Sequence, residues 1–293
     1  MSRVSKIIVR TRIPDSEIKK FKGIQPRESH FDISLVGDVN LYSPKGELIF
    51  AVRKGAVPED IYDECYESFH WLRNTKTNNR GSYTGTERYK RIKPDGTVTK
   101  NSWAKNVSSA TIGFYDRYPR IPYCRQTAFM QHKPELWEKT VPFFQYVSSL
   151  LKEVNPSGWQ RQKDAVMNTH SDWIIPGTVF TTSVVNNCTL ASYHQDGGDL
   201  KSGFGCMAVF RKGDFTGGDL VLPQYRVAVD LGHRDIIFFN PCIWHGNLPY
   251  RETVGERIKD WERISIVCFF REKMQQCLCK EEELKRAKAL GKL

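Results

Sequence analysis

The stretch Tyr193-His194-Gln195-Asp196-Gly197-Gly198-Asp199 sets the frame for the chain. It is answered downstream by Trp244-His245-Gly246-Asn247 and then by Arg263-Ile264-Ser265-Ile266-Val267-Cys268-Phe269-Phe270-Arg271. Side chains two apart on a strand share a face, so His194 and Asp196 can reach one ion while Gln195 points away. Two imidazoles and one carboxylate fill one face of an octahedral metal and leave the other positions open for chemistry. Between the triplet and His245 lie strand-like runs over 203–210, 217–225, 227–231 and 235–240. Turn signals at Lys212-Gly213-Asp214, Thr216-Gly217-Gly218 and Leu231-Gly232-His233 separate them. Strands that fold back this often bring the ends of the segment together, and closing them as a jelly-roll barrel puts the ligands at its mouth.

The last run repeats the parity. If Arg263 faces inward, Ser265, Val267, Phe269 and Arg271 share its face, and Ile264, Ile266, Cys268 and Phe270 pack on the other side. A guanidinium beside a hydroxyl suits a carboxylate, which it clamps through two N–H groups while the serine adds a third donor. Such a carboxylate would be the distal one of 2-oxoglutarate. A lone His-x-Asp triplet carries little weight, since chains of this length contain them by chance. The alternative makes His194 and His245 satisfied strand histidines and Arg263 a rim charge, and the ordered conjunction of several motifs weighs against it.

With these residues the chain resembles the iron- and 2-oxoglutarate-dependent dioxygenases, and more narrowly the branch of Tet and J-binding proteins. The resemblance is carried by Thr181-Thr182-Ser183-Val184-Val185-Asn186, by His194-Gln195-Asp196-Gly197-Gly198-Asp199-Leu200 and by Gly203-Phe204-Gly205. It continues in Gly217-Gly218-Asp219-Leu220-Val221-Leu222-Pro223-Gln224-Tyr225, in Trp244-His245-Gly246-Asn247 and in the strand over 263–271. Upstream, Asn78-Asn79-Arg80-Gly81 and Pro122-Tyr123-Cys124-Arg125 also look like family segments, so the likeness runs over about 78–274. It implies an α+β fold with a double-stranded β-helix (jelly-roll) core buttressed by helices. It implies Fe(II) on His194, Asp196 and His245, and 2-oxoglutarate on Arg263 and Ser265. The implied reaction is hydroxylation of the 5-methyl group of 5-methylcytosine or thymine in DNA, with release of succinate and CO2.

A methyl group on a paired base cannot enter a barrel, so a duplex substrate would have to flip the nucleotide, and a single strand would present it directly. By resemblance, Asp199 contacts the flipped base, and Asn79 and Arg80 lie near the pocket. Arg271 occupies a position where members acting on 5-methylcytosine can carry histidine. An arginine only donates, whereas a neutral histidine does either. Asp199 with Arg271 satisfies thymine or 5-methylcytosine equally well, so both stay open. The plain alternatives are a turn residue for Asp199 and a rim charge paired with Glu272 for Arg271.

The 293 residues are 40% apolar and carry a formal net charge of +11, which favours a polyanionic partner such as DNA through phosphate neutralisation. No linker divides them. The expectation is one catalytic domain over 1–293, with an N-terminal elaboration over 1–130 and the double-stranded β-helix core over 179–274. No run approaches the length of a membrane span and no signal-peptide core follows Met1. This predicts a soluble intracellular protein with no membrane partner, placed in a eukaryotic nucleus or a bacterial or phage-infected cytoplasm. Of eight cysteines, Cys188, Cys206, Cys242 and Cys268 sit in apolar strand-like settings, so reduced thiols are expected rather than disulfides.

Elsewhere, runs over 39–42 and 47–53 around Ser43-Pro44-Lys45-Gly46 read as a hairpin. Pro58-Glu59-Asp60 opens a helix, and a helical stretch from Pro134 to Val154 is kinked or divided at Pro142. The segment 73–105 mixes Arg73, Arg80, Arg88, Lys90, Arg91, Lys93, Lys100 and Lys105 with Tyr83, Tyr89 and Trp103. It is a candidate DNA-facing region or, alternatively, a solvent loop over the barrel. The tail over 280–292 reads as a charged helix without an apolar face, partly disordered. Two competing functions remain: a hydroxylase of protein or small molecules on the same scaffold, and a non-catalytic DNA-binding module.

Overall fold

The structure, a computed structural model, describes residues 4–78, 80, 83, 89–103, 106–252 and 261–292. The strand Glu262–Phe269 lies inside a large sheet whose hydrogen-bonded order is Ser5–Ile8, Val39–Tyr42, Leu48–Arg53, Asp235–Phe239, Gly205–Lys212, Glu262–Phe269, Thr182–Asn187, Val107–Tyr115 and Lys76–Thr77. Apart from the parallel pair at the Ser5–Ile8 edge, its neighbours run antiparallel. A smaller sheet takes Gly246–Asn247, Leu220–Leu222, Val227–Val229 and Ile33–Leu35 in that order.

Alternation along the central strands divides the interior. Met207, Val209, Ile237 and Phe239 of the large sheet share a cluster with Leu220, Leu222, Val227 and Val229 of the small one. Their sequence neighbours Cys206, Ala208, Phe210, Ile236 and Phe238 turn the other way, into a second cluster that also holds helical side chains. Both faces are therefore buried, which is why these strands read as nearly continuous apolar runs. Two facing sheets of this kind form the double-stranded β-helix that the strand pattern led us to expect. The parity of the final strand holds as well: Ile264, Ile266, Cys268 and Phe270 pack into the helical side.

Three helices, Glu59–Trp71, Val141–Val154 and Pro156–Met167, cover that outer face. Phe69 meets Phe143 at 5.3 Å between ring centroids, and Phe143 meets Phe210 of the sheet at 5.9 Å. The division near Pro142 takes a simple form. One helix ends at Glu138 and the next begins at Val141, so Pro142 sits in a first turn, where a missing N–H leaves nothing unsatisfied. The following helix begins at Pro156, earlier than its apolar pattern suggests, because the Asn155 side chain accepts from Gly158 N at 3.1 Å and caps it. The expected hairpin over 39–53 is present.

Within the basic segment, Tyr89–Ile92 pairs with Val98–Trp103 as a hairpin. Asn79, Gly81, Gly85, Arg88 and Lys105 of that segment lie outside the described residues. No helix among the described residues is long and apolar enough to cross a membrane.

Two expectations need correction. Cys124 and Cys277 are joined in a disulfide across 153 residues, so the thiols are not all reduced; Cys188, Cys206, Cys242 and Cys268 are free. The C-terminal helix, Lys280–Ala289, is also held rather than loose. Glu283, 1% exposed, accepts from Arg117 Nε at 3.0 Å, from Cys124 N at 2.9 Å and from Leu278 N at 3.0 Å, and Arg117 Nη2 closes on the same carboxylate. A charged helix with no apolar stripe is thereby anchored by one buried carboxylate rather than by a hydrophobic face.

Removing that anchor strands a cation and two backbone N–H groups. Glu283→Ala is expected to cost about 3 kcal/mol in chemical denaturation. Burial works against its charge, but the hydrogen bonds from Arg117, Cys124 N and Leu278 N prevail and hold its pKa below the ordinary 4.5. Its contribution is therefore complete above pH 4.5 and is lost as pH falls through the lower folded value. Glu283→Gln should flatten that acid limb.

Candidate active site

His194 and His245 are tied together by their own backbones. Each N–H donates to the other residue's carbonyl at 3.0 Å, an isolated bridge that brings the imidazole centroids to 4.3 Å. Asp196 closes the group, with Oδ1 at 3.5 Å from His194 Nε2 and Oδ2 at 3.7 Å from His245 Nε2. The three ligand atoms all lie within 4.8 Å of one another. Gln195 points away, its side-chain amide donating to Cys242 O.

The ring orientations follow from their second nitrogens. His194 Nδ1 lies 2.8 Å from Ser192 O and His245 Nδ1 lies 2.9 Å from Ile243 O. A carbonyl can only accept, so each Nδ1 carries a proton and each ring turns its Nε2 toward Asp196. Burial and the neighbouring His194 push His245 down to about 4, so it is neutral at pH 7. Burial alone would raise Asp196, but the two imidazoles hold its carboxyl below the usual range. Asp196 Oδ2 is nonetheless buried without a hydrogen-bond partner among the described residues. Two nitrogen lone pairs and an unpartnered oxygen at these separations fit an octahedral divalent metal with open positions.

Ångströms away along the same cavity, Arg263 is 4% exposed, with its Nε buried and unpartnered among the described residues. A buried guanidinium N–H left without an acceptor is costly, and the arrangement fits an incoming carboxylate. Gly218 (φ +80°) makes room for it: a Cβ there would come within 3.3 Å of Arg263 Nε and 2.6 Å of the Tyr250 ring. Ser265 shares the inward face, opposite Asn186 in register, and its Oγ accepts from Asn186 Nδ2 at 3.5 Å. Val267, Phe269 and Arg271 also line the cavity, as parity required. It encloses about 300 Å³, at the small end of ligand pockets.

Asp199 and Arg271 meet in a second isolated bridge at the rim. Asp199 is 8% exposed; burial first, and the charge of Asp196 second, push its carboxyl well above the usual range, against the pull of Arg271. Arg271 pairs with neither Glu272 nor solvent alone: its Nε and Nη2 both reach Asp116 Oδ1, at 2.9 and 2.8 Å. Arg80 lines the cavity with Nη2 3.4 Å from Thr111 Oγ1 and Nε unpartnered among the described residues, while Asn79 lies outside them.

Among the lining residues that received no site role from sequence reasoning are Tyr83, Asn186, Asn247 and Phe269. Tyr83, read only as a ring in a basic segment, stands edge-on to His194 at 4.8 Å. Asn186 and Asn247 stood inside quoted motifs, and Phe269 shared the predicted inward face. Asp116 gave no signal at all.

A jelly-roll core with a two-histidine, one-carboxylate group and an unpaired buried guanidinium in one cavity is the equipment of an Fe(II)- and 2-oxoglutarate-dependent oxygenase. The chain belongs to the Tet_JBP family, the oxygenase domain of the 2OGFeDO superfamily, whose family model matches residues 111–272. That superfamily uses Fe(II) and 2-oxoglutarate. Among curated relatives, thymine dioxygenase JBP1-A of Trypanosoma cruzi is 32% identical over 189 residues, covering 62% of this chain and 22% of the relative. The bifunctional helicase and thymine dioxygenase JBP2 of Leishmania tarentolae is 31% identical over 184 residues, covering 62% of this chain and 16% of that one. The match thus spans about a fifth of those relatives' length. The solved structure of NgTET1 in complex with 5mC DNA aligns at a TM-score of 0.61 over 98% of this chain and 90% of that one, at 14% identity, a likeness of fold.

Metal binding has a readout independent of turnover. Co(II) at a hundredfold excess over its Kd should stabilise the protein by about 2.7 kcal/mol, seen as a rise in Tm. Asp196→Ala should abolish that rise; an equal rise in the variant would show that the metal binds elsewhere.

Proposed function

We propose that this chain hydroxylates the 5-methyl group of a pyrimidine, thymine or 5-methylcytosine, in DNA. The supporting observation is a single cavity that holds both the metal-competent group and the unpaired Arg263, with Asp199 and Arg271 at its rim. In this reading His194, Asp196 and His245 hold Fe(II), and Arg263 with Ser265 takes the distal carboxylate of 2-oxoglutarate. Bound iron supplies the dioxygen chemistry that breaks a methyl C–H bond. Overall, one O2 is consumed: one atom enters the hydroxymethyl group and the other enters succinate as 2-oxoglutarate loses CO2.

The protein's residues do the positioning. Arg263 replaces the water that a carboxylate loses on entry, and Ser265 adds an O–H donor. Asp199, Arg271 and Arg80, which line the cavity, meet the base in this reading, with Asn79 a further candidate by resemblance outside the described residues, and Phe269 adds an apolar wall. Asp199, whose carboxyl burial pushes well above the usual range, is placed to meet a polar edge of the base. The net charge of +11 and the many cations in the segment over 73–105 suit a polyanionic partner such as DNA. The relatives' printed activity on thymine and the fold neighbour's 5mC-DNA complex support the same substrate class. The whole chain, 1–293, acts in this reading as one catalytic domain, with 1–130 elaborating a core over 179–274.

The test is nucleoside mass spectrometry after incubation with Fe(II), 2-oxoglutarate and DNA containing thymine alone or added 5-methylcytosine. One of the two bases should gain a single oxygen. If neither does while a peptide substrate is hydroxylated, the DNA reading fails. Separately, Arg263→Lys replaces a planar fork by a point charge, and KM for 2-oxoglutarate should rise about tenfold or more with a smaller change in kcat.

A further inference from the structure

Arg271 could swing freely at the rim of the cavity, yet it does not, and the cause lies outside the cavity. Asp116 follows directly on the strand Val107–Tyr115 and is 5% exposed. It accepts from both Nε and Nη2 of Arg271 on one oxygen, across 155 residues of sequence. Two donors of one planar group on one acceptor fix the plane of the guanidinium. Its backbone is fixed as well: Arg271 N donates to Thr181 Oγ1 at 2.9 Å, and Glu272 N to Gly198 O at 3.0 Å in the bridge with Asp199. Nη1 makes no hydrogen bond to a described residue, and Arg271 lines the cavity.

From this geometry we infer that Asp116 is a positioning residue for base selection, acting through Arg271. It holds the guanidinium so that the Nη1 edge, and not a mobile cation, is offered to the acceptor on the flipped pyrimidine beside Asp199. The proposal rests on the reading of this cavity as a base pocket. Asp116 also solves an electrostatic problem. Arg80 and Arg271 line the same cavity and repel, lowering the Arg80 pKa after burial has done the larger share. A buried carboxylate behind Arg271 offsets that repulsion without entering the pocket. The neighbouring Arg117 turns to Glu283, and Arg125 stacks over the Tyr115 ring at 4.5 Å, so Asp116 is directed to Arg271.

The experiment is a double-mutant cycle on the full chain. Asp116→Ala should lower kcat/KM on methylated DNA about tenfold, mainly through KM, and should narrow the preference between thymine and 5-methylcytosine. In an Arg271→Ala background the same substitution should change kcat/KM by less than about twofold, because the partner through which it acts is gone. Asp116→Asn, which keeps an acceptor without charge and guards against misfolding, should fall between. Additive losses overturn the proposal, as does an unchanged base preference in Asp116→Ala. A second readout needs no turnover: the ¹⁵N–¹H resonance of Arg271 Nε, assigned by its loss in Arg271→Lys, should be protected from exchange in the wild type and lose protection in Asp116→Ala. Persisting protection overturns the clamp. Wild-type protein that oxidises neither base overturns the reading of the cavity instead, and the resonance then still decides the clamp.

Discussion

Two buried atoms without a hydrogen-bond partner among the described residues govern this structure: Nε of Arg263 and Oδ2 of Asp196, in one cavity. Such groups persist only where the surroundings are too well packed to collapse onto them. Here the surroundings are central strands buried on both faces, with Phe239 and Met207 lining the cavity wall and Phe69, Phe143 and Phe210 packed behind the sheet. Arg263, 4% exposed, is held on a strand that has neighbours on both sides.

The ligands themselves are positioned more by backbone than by side chain. His194 and His245 exchange both backbone hydrogen bonds, and each ring is then aimed by a carbonyl two residues upstream in its own chain. Both imidazoles therefore have a fixed orientation, and burial with the neighbouring His194 lowers the His245 pKa to about 4. The entropy of assembling the site is met by folding rather than by metal binding.

The same period-2 rule explains what could be read from the sequence. On the strand over 262–269 alternate residues belong to the core and to the cavity, so assigning one residue to a face assigns all of them. Arg263, Ser265, Val267, Phe269 and Arg271 were legible together for that reason. His194 and Asp196 also come together, but from a loop held by an isolated bridge rather than from the strand that was expected. Pairings across more than 150 residues obey no such period. Cys124 with Cys277, Arg117 with Glu283 and Asp116 with Arg271 join the segment over 116–124 to the chain beyond 270. None of the three has a local signature, because a lone acid or thiol carries no information about a distant partner. The C-terminal helix looked loose for the same cause: one buried glutamate does what an apolar stripe does elsewhere.

That clustering has a physical consequence. The segment over 116–124 leaves the strand Val107–Tyr115 and carries one anchor for Arg271 and two for the C-terminal helix, so the rim of the cavity and the end of the chain share a support. Adjacent residues of an extended chain point to opposite sides, and Asp116 and Arg117 do so here, one toward the cavity and one toward Glu283. A shift of one residue in one direction would place Arg117 behind Arg271, and a shift in the other would place Asp116 beside Glu283. Each would face a like charge, at the rim and in the buried anchor alike, so the register of residues distant from the metal is set as firmly as that of the ligands.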